Sequence, residues 1–297
     1  GTAILPYGFE LTLKGQIYRS SRTKMSYNNN LVGSQKGKGG LDEQFTNYNS
    51  HTFQQQLNWS HEYGRNHIDV LLDHENYQYG YRYSFIRKSG QLLPGMLSLS
   101  NFQSEDFDSE VANQMRSESY LGRVRYNFDQ QYFLEASIRR DGTSRFEKDN
   151  RWGTFWSVGG SWIITKERFM QNINWLNYLK LRTAYGSVGN DASAGWYSYW
   201  SLYGFGTMDG ATNLVPSQNV KWEATKTFDI ALEGSILNDR LNFSVGYFNK
   251  RNSDLLFNVT RPLSSGNVDN NGINPKVLMN VGTMQNIGWE LAFGVDI

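Results

Sequence analysis

The sequence contains no cysteine and only 5 prolines among 297 residues. Without cysteine there are no disulfide frameworks, thiolate metal sites or cysteine nucleophiles, which fits passage through an oxidising compartment without bridges. An excess of either charge is also missing: 29 Lys+Arg stand against 28 Asp+Glu. A nucleic-acid surface and an acidic tail are therefore not expected. Apolar runs are only a few residues long, which excludes a transmembrane helix. A transmembrane strand stays open, because alternation leaves its hydropathy near zero. Gly1 to Pro6 shows neither an initiator Met nor a signal peptide, so the chain reads as mature, processed or cut from something longer.

What is abundant is aromatic. The chain has 18 Tyr, 17 Phe and 9 Trp, yet its mean hydropathy is −0.58. That pairing does not describe an ordinary soluble core.

Nearly every segment alternates with period two. In "YFLEASIRR", Tyr132, Leu134, Ala136 and Ile138 share one face, while Phe133, Glu135, Ser137 and Arg139 share the other. Trp152, Trp156, Val158 and Trp162 alternate with Gly153, Ser157, Gly159 and Ser161. Leu241, Phe243, Val245 and Tyr247, and then Ile287, Trp289, Leu291 and Phe293, repeat the pattern. Strict alternation over about ten residues predicts half-buried strands. About ten are expected, near 8–19, 51–62, 67–83, 118–128, 131–145, 151–164, 179–188, 222–236, 240–257 and 280–297.

Short links such as "EYGRN", "DQQ" and "LNDR" alternate with long ones of about 22 to 34 residues, broken by the short Glu147–Asn150 turn. The link from Lys166 to Tyr178 has room for a helical turn. Alternating link lengths suit an antiparallel up-and-down transmembrane β-barrel, with short turns on one rim and long loops on the other. A β-sandwich gives no reason for every second link to be long. One face then carries aliphatic residues with Tyr and Trp toward the ends, as outer-membrane lipid contact requires. The other carries Arg123, Arg125, Glu135, Arg139, Lys180, Arg182, Glu233 and Glu290, the candidates for a wet or plugged lumen. The competing reading is that these charges coat a soluble sheet.

Several stretches together resemble the SusC/RagA family of TonB-linked outer-membrane proteins. They are "YLGRVRYNFDQQYFLEASIRRDGTSRF", "NRWGTFWSVGGSWIITKERF", "LKLRTAYGSVGN", "VKWEATKTFDIALE", "YFNKRNSDLL" and "NVGTMQNIGWEL", in that order over residues 120–291. Residues 1–117 carry no such motif and read as more barrel. The resemblance implies a multi-pass barrel of 22 strands in the outer membrane of a Gram-negative bacterium. It also implies an N-terminal plug, energy supplied through the TonB complex, a SusD-like lipoprotein lid, and a glycan or peptide cargo. The plug, the TonB box and a terminal aromatic residue are not found in 1–297, so the chain is expected to be a portion of the barrel domain. A barrel of ten strands closing by itself is the alternative.

Chemistry is sparse. His51, His61 and His74 have outward parity and His67 falls at a turn, a scatter that does not converge on a metal. "GSVGN" follows a strand without a helix or Lys behind it, so it reads as a strand end and not a phosphate loop. The carboxylate pairs Asp106/Asp108 and Asp69/Asp73 have nothing to tune one against the other. No catalytic residue and no cofactor is expected. Trp196, Tyr197, Tyr199, Trp200 and Tyr203 crowd one expected extracellular loop. There they could stack on sugar rings or meet the lid, or simply extend the aromatic girdle. "RRDGTSRF", Arg139 to Phe146, reads as a hairpin rim with Arg145 expected to pair with Asp141. Passive porins, adhesins and soluble carbohydrate-binding proteins remain rival classes.

Overall fold

A computed structural model describes residues 1–170, 172–197, 203–204, 212–213, 219–260, 262 and 276–295. Its strands are β1 (Thr2–Ile4), β2 (Phe9–Asn28), β3 (Gly40–Tyr63), β4 (Asn66–Gln91), β5 (Phe102–Phe128), β6 (Tyr132–Thr143) and β7 (Trp152–Ile163). They continue as β8 (Leu176–Asn190), the short β9 (Tyr203–Gly204) and β10 (Thr212–Asn213), then β11 (Glu223–Ile236), β12 (Leu241–Thr260) and β13 (Lys276–Val295). Eleven of them form one sheet in the order β1-β2-β3-β4-β5-β6-β7-β8-β11-β12-β13, and β9 pairs with β10. Each resolved pairing is antiparallel and joins sequence neighbours within the sheet. This is the up-and-down wall expected, with one strand more than the alternation revealed. The link after β7 holds two 3₁₀ turns, Ile164–Lys166 and Arg168–Met170.

Two compact units make up the chain. The first comprises 1–13, 54–75 and 117–297. In it, register confirms that the apolar residues share a face: Leu134 faces Tyr126 on one side and Gly160 on the other, and Ile138 faces Gly122 and Trp156. These side chains are exposed. Leu134 is 59% accessible, Trp289 70% and Phe293 76%. Leaving such a side chain in water forfeits about 1.5–3 kcal/mol each, so this face belongs against hydrocarbon. Aromatic rows bound it. Tyr132 stacks on Trp162 at 6.4 Å at one level, and Tyr120 meets Trp152 at 6.2 Å at the other. From Tyr132 to Gly142, which pairs with Trp152, the strand rises about 33 Å at ~3.3 Å per residue. At a tilt of about 40° that becomes about 25 Å, the height of a barrel's apolar band.

The second unit comprises 14–53 and 76–116. It is built from parts of β2 to β5; Tyr77, Tyr79, Tyr81, Tyr83 and Phe85 keep the period of two there, but most of the rest does not. Tyr48 lies between Tyr79 and Tyr81, at 6.3 and 5.3 Å, and Phe85 meets Phe107 at 5.8 Å. Arg87 donates twice to Asp42, at 2.8 and 3.0 Å.

These strands correct two expectations. The long links after the first and third expected strands are mostly strand, and only 29–39 and 92–101 remain between strands. Stretches such as "YRSSRTK" do not alternate in hydrophobicity, so the period-two signal ends where backbone pairing continues. His67 lies within β4, not at a turn.

Candidate functional site

The polar face comes first. Arg125 opposes Glu135, Arg123 opposes Ser137, and Glu135 opposes Gly159 in register. Ser161 opposes Arg182, and Lys180 opposes Glu233. Register thus places Arg123, Arg125, Glu135, Arg139, Lys180 and Arg182 on one side of the sheet, opposite to Leu134 and Ile138. Four of them, Arg125, Glu135, Lys180 and Arg182, line one recess of about 450 Å³ together with His67 and Asp69. Two charges there are matched locally. Arg182 Nε donates to Glu233 Oε1 at 2.6 Å, and Asp69 Oδ2 lies 3.0 Å from His67 Nε2 and 3.7 Å from Arg125. Glu135 and Lys180 have no ion pair among the described residues. No cluster of three metal-ligating side chains occurs among the described residues.

Further along the same face, Arg139 donates to Asp141 at 2.7 Å and to Ser119 at 3.1 Å. The expected Arg145–Asp141 pair does not form. Arg145 instead turns to the segment after β8, donating to the Asp191 and Ala194 carbonyls at 3.0 and 3.2 Å. Its guanidinium lies 5.8 Å from the Trp196 ring centroid. Asp141 is already engaged by the arginine two residues away on its own strand, and the Asp191–Ala194 turn presents two carbonyls to one guanidinium nitrogen, Nη1. Trp196 and Tyr197 are half-buried beside it. Tyr199, Trp200 and the Tyr203 side chain lie outside the described residues.

Around Arg145 the structure assembles a node that alternation alone did not reveal. Phe146 is fully buried and clusters with Ala194, Val220 and Leu256. Its ring meets Trp222 edge-on at 5.6 Å, and Trp222 meets Phe155 at 5.6 Å. Phe155 opposes Arg139, so the node stands on the polar face. The Trp222 indole donates to the Arg151 carbonyl at 3.0 Å. Glu223, 8% exposed, accepts from Asn190 at 2.6 Å and from the Leu256 amide at 2.8 Å. Asn280 donates to the carbonyls of Lys221 (2.9 Å) and Asp254 (2.6 Å).

Local geometry makes these contacts possible. A bulge near Asp254, where φ is +56°, breaks the β12–β13 register and re-aims the Asp254 carbonyl and Leu256 amide. A Cβ at Gly189 would lie 2.0 Å from the Phe155 ring, so the second glycine of "GSVGN" is what admits that ring. The family-like motifs therefore meet at one place. Arg145 and Phe146, Arg151 and Phe155, Asn190, Trp222 and Glu223, Leu256, and Asn280 each come from a different one of them. Their joint role is to tie β7, β8, β11, β12 and β13 together at one end.

At the opposite end, Arg65 in the β3–β4 turn donates to Asp129 in the β5–β6 turn. That hydrogen bond, more than the charge attraction, holds the Asp129 carboxyl below the ordinary carboxylate range.

A sheet of this topology, apolar outside and charged on the other face, is the wall of a transmembrane β-barrel. The chain belongs to the TonB dependent receptor-like β-barrel family, whose model matches residues 3–296. It is 30% identical over 247 residues to the TonB-dependent receptor SusC of Bacteroides thetaiotaomicron, covering 77% of this chain and 23% of SusC. It is 36% identical over 181 residues to the TonB-dependent receptor P26 of Formosa agariphila, covering 59% of this chain and 18% of that receptor. The chain thus spans 18–23% of the length of these curated relatives. Among solved structures, the RagAB peptide transporter superposes with a TM-score of 0.86 at 24% identity, over 98% of this chain and 33% of that one. The siderophore receptor PiuA from Acinetobacter baumannii superposes at 0.56 and 15% identity, over 100% of this chain and 43% of that one. At these identities the structural likeness speaks for the fold. The SusC/RagA resemblance is borne out at the level of the family.

Proposed function

We propose that the chain is part of the barrel wall of an outer-membrane, TonB-dependent importer of large polar nutrients. In this reading the polar face lines a hydrated lumen, and Arg123, Arg125, Glu135, Arg139, Lys180 and Arg182 offer a weakly adhesive path across it. A plug and a TonB-contacting segment belong to other parts of the protein, and a SusD-like surface lipoprotein covers the rim. Trp196 and Tyr197, held by Arg145, are the described members of the aromatic loop that meets cargo or lid. Oligosaccharides are the first cargo class, since flat aromatic rings suit sugar faces. A peptide is the second, supported by Glu135 and Lys180, which line one recess with opposite charges and no ion pair between them.

The observation that carries the proposal is the segregation of faces: exposed Leu, Ile, Phe and Trp on one side and six candidate charges on the other. Placing those charges against lipid would cost about 2–4 kcal/mol each at mid-depth. The test is uptake by cells carrying the intact protein and its partner lipoprotein, offered fluorescent oligosaccharides and peptides. Uptake that stops without TonB or without a proton gradient is expected. Uptake that persists would make the protein a passive porin, and a protein that stays monomeric in water without detergent would overturn the membrane reading.

A further inference from the structure

Lys226 on β11 and Arg251 on β12 are directly opposed in register. They have the parity of Phe228, Ile230 and Tyr247, so both project from the apolar face. Opposed residues of an antiparallel pair hold their Cβ atoms about 5 Å apart, and like charges so placed repel. Neither cation has a carboxylate partner among the described residues, and both are exposed. Beneath them runs an aromatic row, Phe228 to Tyr247 at 6.5 Å and Tyr247 to Trp289 at 5.2 Å. Beneath that row an open groove of about 440 Å³ is lined by Leu181, Ile230, Leu232, Val245, Tyr247 and Trp289. The sequence along one face is thus cation pair, aromatic belt, apolar slot.

We propose that this column is a binding site for an anionic, phosphate-bearing membrane lipid. The phosphate sits between Lys226 and Arg251 and relieves their repulsion, and one acyl chain lies in the groove below Tyr247. A phosphate accepts several charge-assisted hydrogen bonds and suits both a guanidinium fork and an ammonium. A free anion would use the cations and leave the groove empty, so the groove selects the lipid. Arg140 supports the level assigned. It projects from the same face, stacks 5.2 Å from the Trp152 centroid, and pairs with no described carboxylate. Glu118, opposite Gly142 on the neighbouring strand, is engaged by Tyr120 and His74 at 2.6 and 3.2 Å.

The site rests on the membrane reading above, and the test separates the two. The intact protein, purified in detergent, is titrated in native mass spectrometry with phosphatidylglycerol, with phosphatidylcholine of identical chains, and with inorganic phosphate. Binding of phosphatidylglycerol should be stronger by about fivefold for each cation engaged. The Lys226→Gln/Arg251→Gln variant should lose that preference, whereas Lys148→Gln, a turn lysine, should keep it. Val245→Trp should weaken both lipids by filling the groove. Heat-modifiable migration of each variant certifies that its barrel is folded. Equal binding of the two lipids, or unchanged preference in the double variant, overturns the site. Inorganic phosphate competing as well as the lipid does would also overturn it, reducing it to an anion site. A protein that needed no detergent at all would instead overturn the membrane reading.

Discussion

Removing the Glu223 carboxylate tests whether the node at the end of β8, β11 and β12 holds the wall together. In Glu223→Ala, two donors lose their acceptor: the Asn190 amide at 2.6 Å and the Leu256 backbone N–H at 2.8 Å. A buried donor left unpaired costs about 1–3 kcal/mol. The Asn190 side chain can rotate toward water, but the Leu256 amide is fixed by the bulge at Asp254. The expected loss is therefore about 1–3 kcal/mol, expressed first as local opening of this end. Amide hydrogen exchange reads it directly: 2 kcal/mol corresponds to about 30-fold faster exchange at Leu256 when exchange follows opening. Glu290→Ala, which removes an exposed carboxylate from the same face, is the control and should leave Leu256 unaffected. Exchange at Leu256 within threefold of the parent protein in Glu223→Ala would refute the reasoning, because the carboxylate would then be dispensable to the node.

Other perturbations address separate links. Leu134→Arg should cost about 2–4 kcal/mol in refolding into lipid vesicles, whereas the neighbouring Glu135→Arg should cost little; equal costs would reverse the assignment of faces. Gly189→Leu should lower the melting temperature and Phe155→Leu should restore part of it, because the added Cβ falls 2.0 Å from the Phe155 ring. Arg145→Ala should make the Asp191–Tyr197 segment the first site of proteolytic cleavage, read by mass spectrometry, since both of its carbonyl ties are lost. Asp129 should titrate below the ordinary carboxylate range and return to it in Arg65→Ala. Since its pKa is lowered by folding, the pair's stabilisation is present above the unfolded carboxylate pKa and lost as pH falls through the lower folded value. An NMR titration of the Asp129 carboxyl carbon checks both statements.

Legibility of the fold followed the apolar alternation. From β6 to β8 and from β11 to β13 the period of two locates the strands within a few residues, because lipid on one side and water on the other impose opposite demands on successive side chains. Where β2 to β5 run through the second unit, most of the sequence lacks this alternation and reads as loop, while Tyr77, Tyr79, Tyr81 and Tyr83 keep it and read as strand. Trp196 and Tyr197 were conspicuous by composition, but only the Arg145 fork shows what holds that segment. Glu223 and Asn280 were invisible to periodicity: each is a polar residue near a strand end, and its significance depends on partners 33 and 59 residues away.

By itself, then, the sequence determined an antiparallel wall with an apolar face and a charged face, and therefore a membrane as its surroundings. That information is local, since it needs only the alternation of neighbours and the lengths of links. The tertiary structure decided which charges meet. It gave Arg139 to Asp141, Arg145 to the Asp191 turn and Arg182 to Glu233, left Glu135 and Lys180 without ion partners among the described residues, and set Lys226 against Arg251. Such pairings depend on inter-strand register and on one bulge, and register is a property of two strands together that neither strand carries alone.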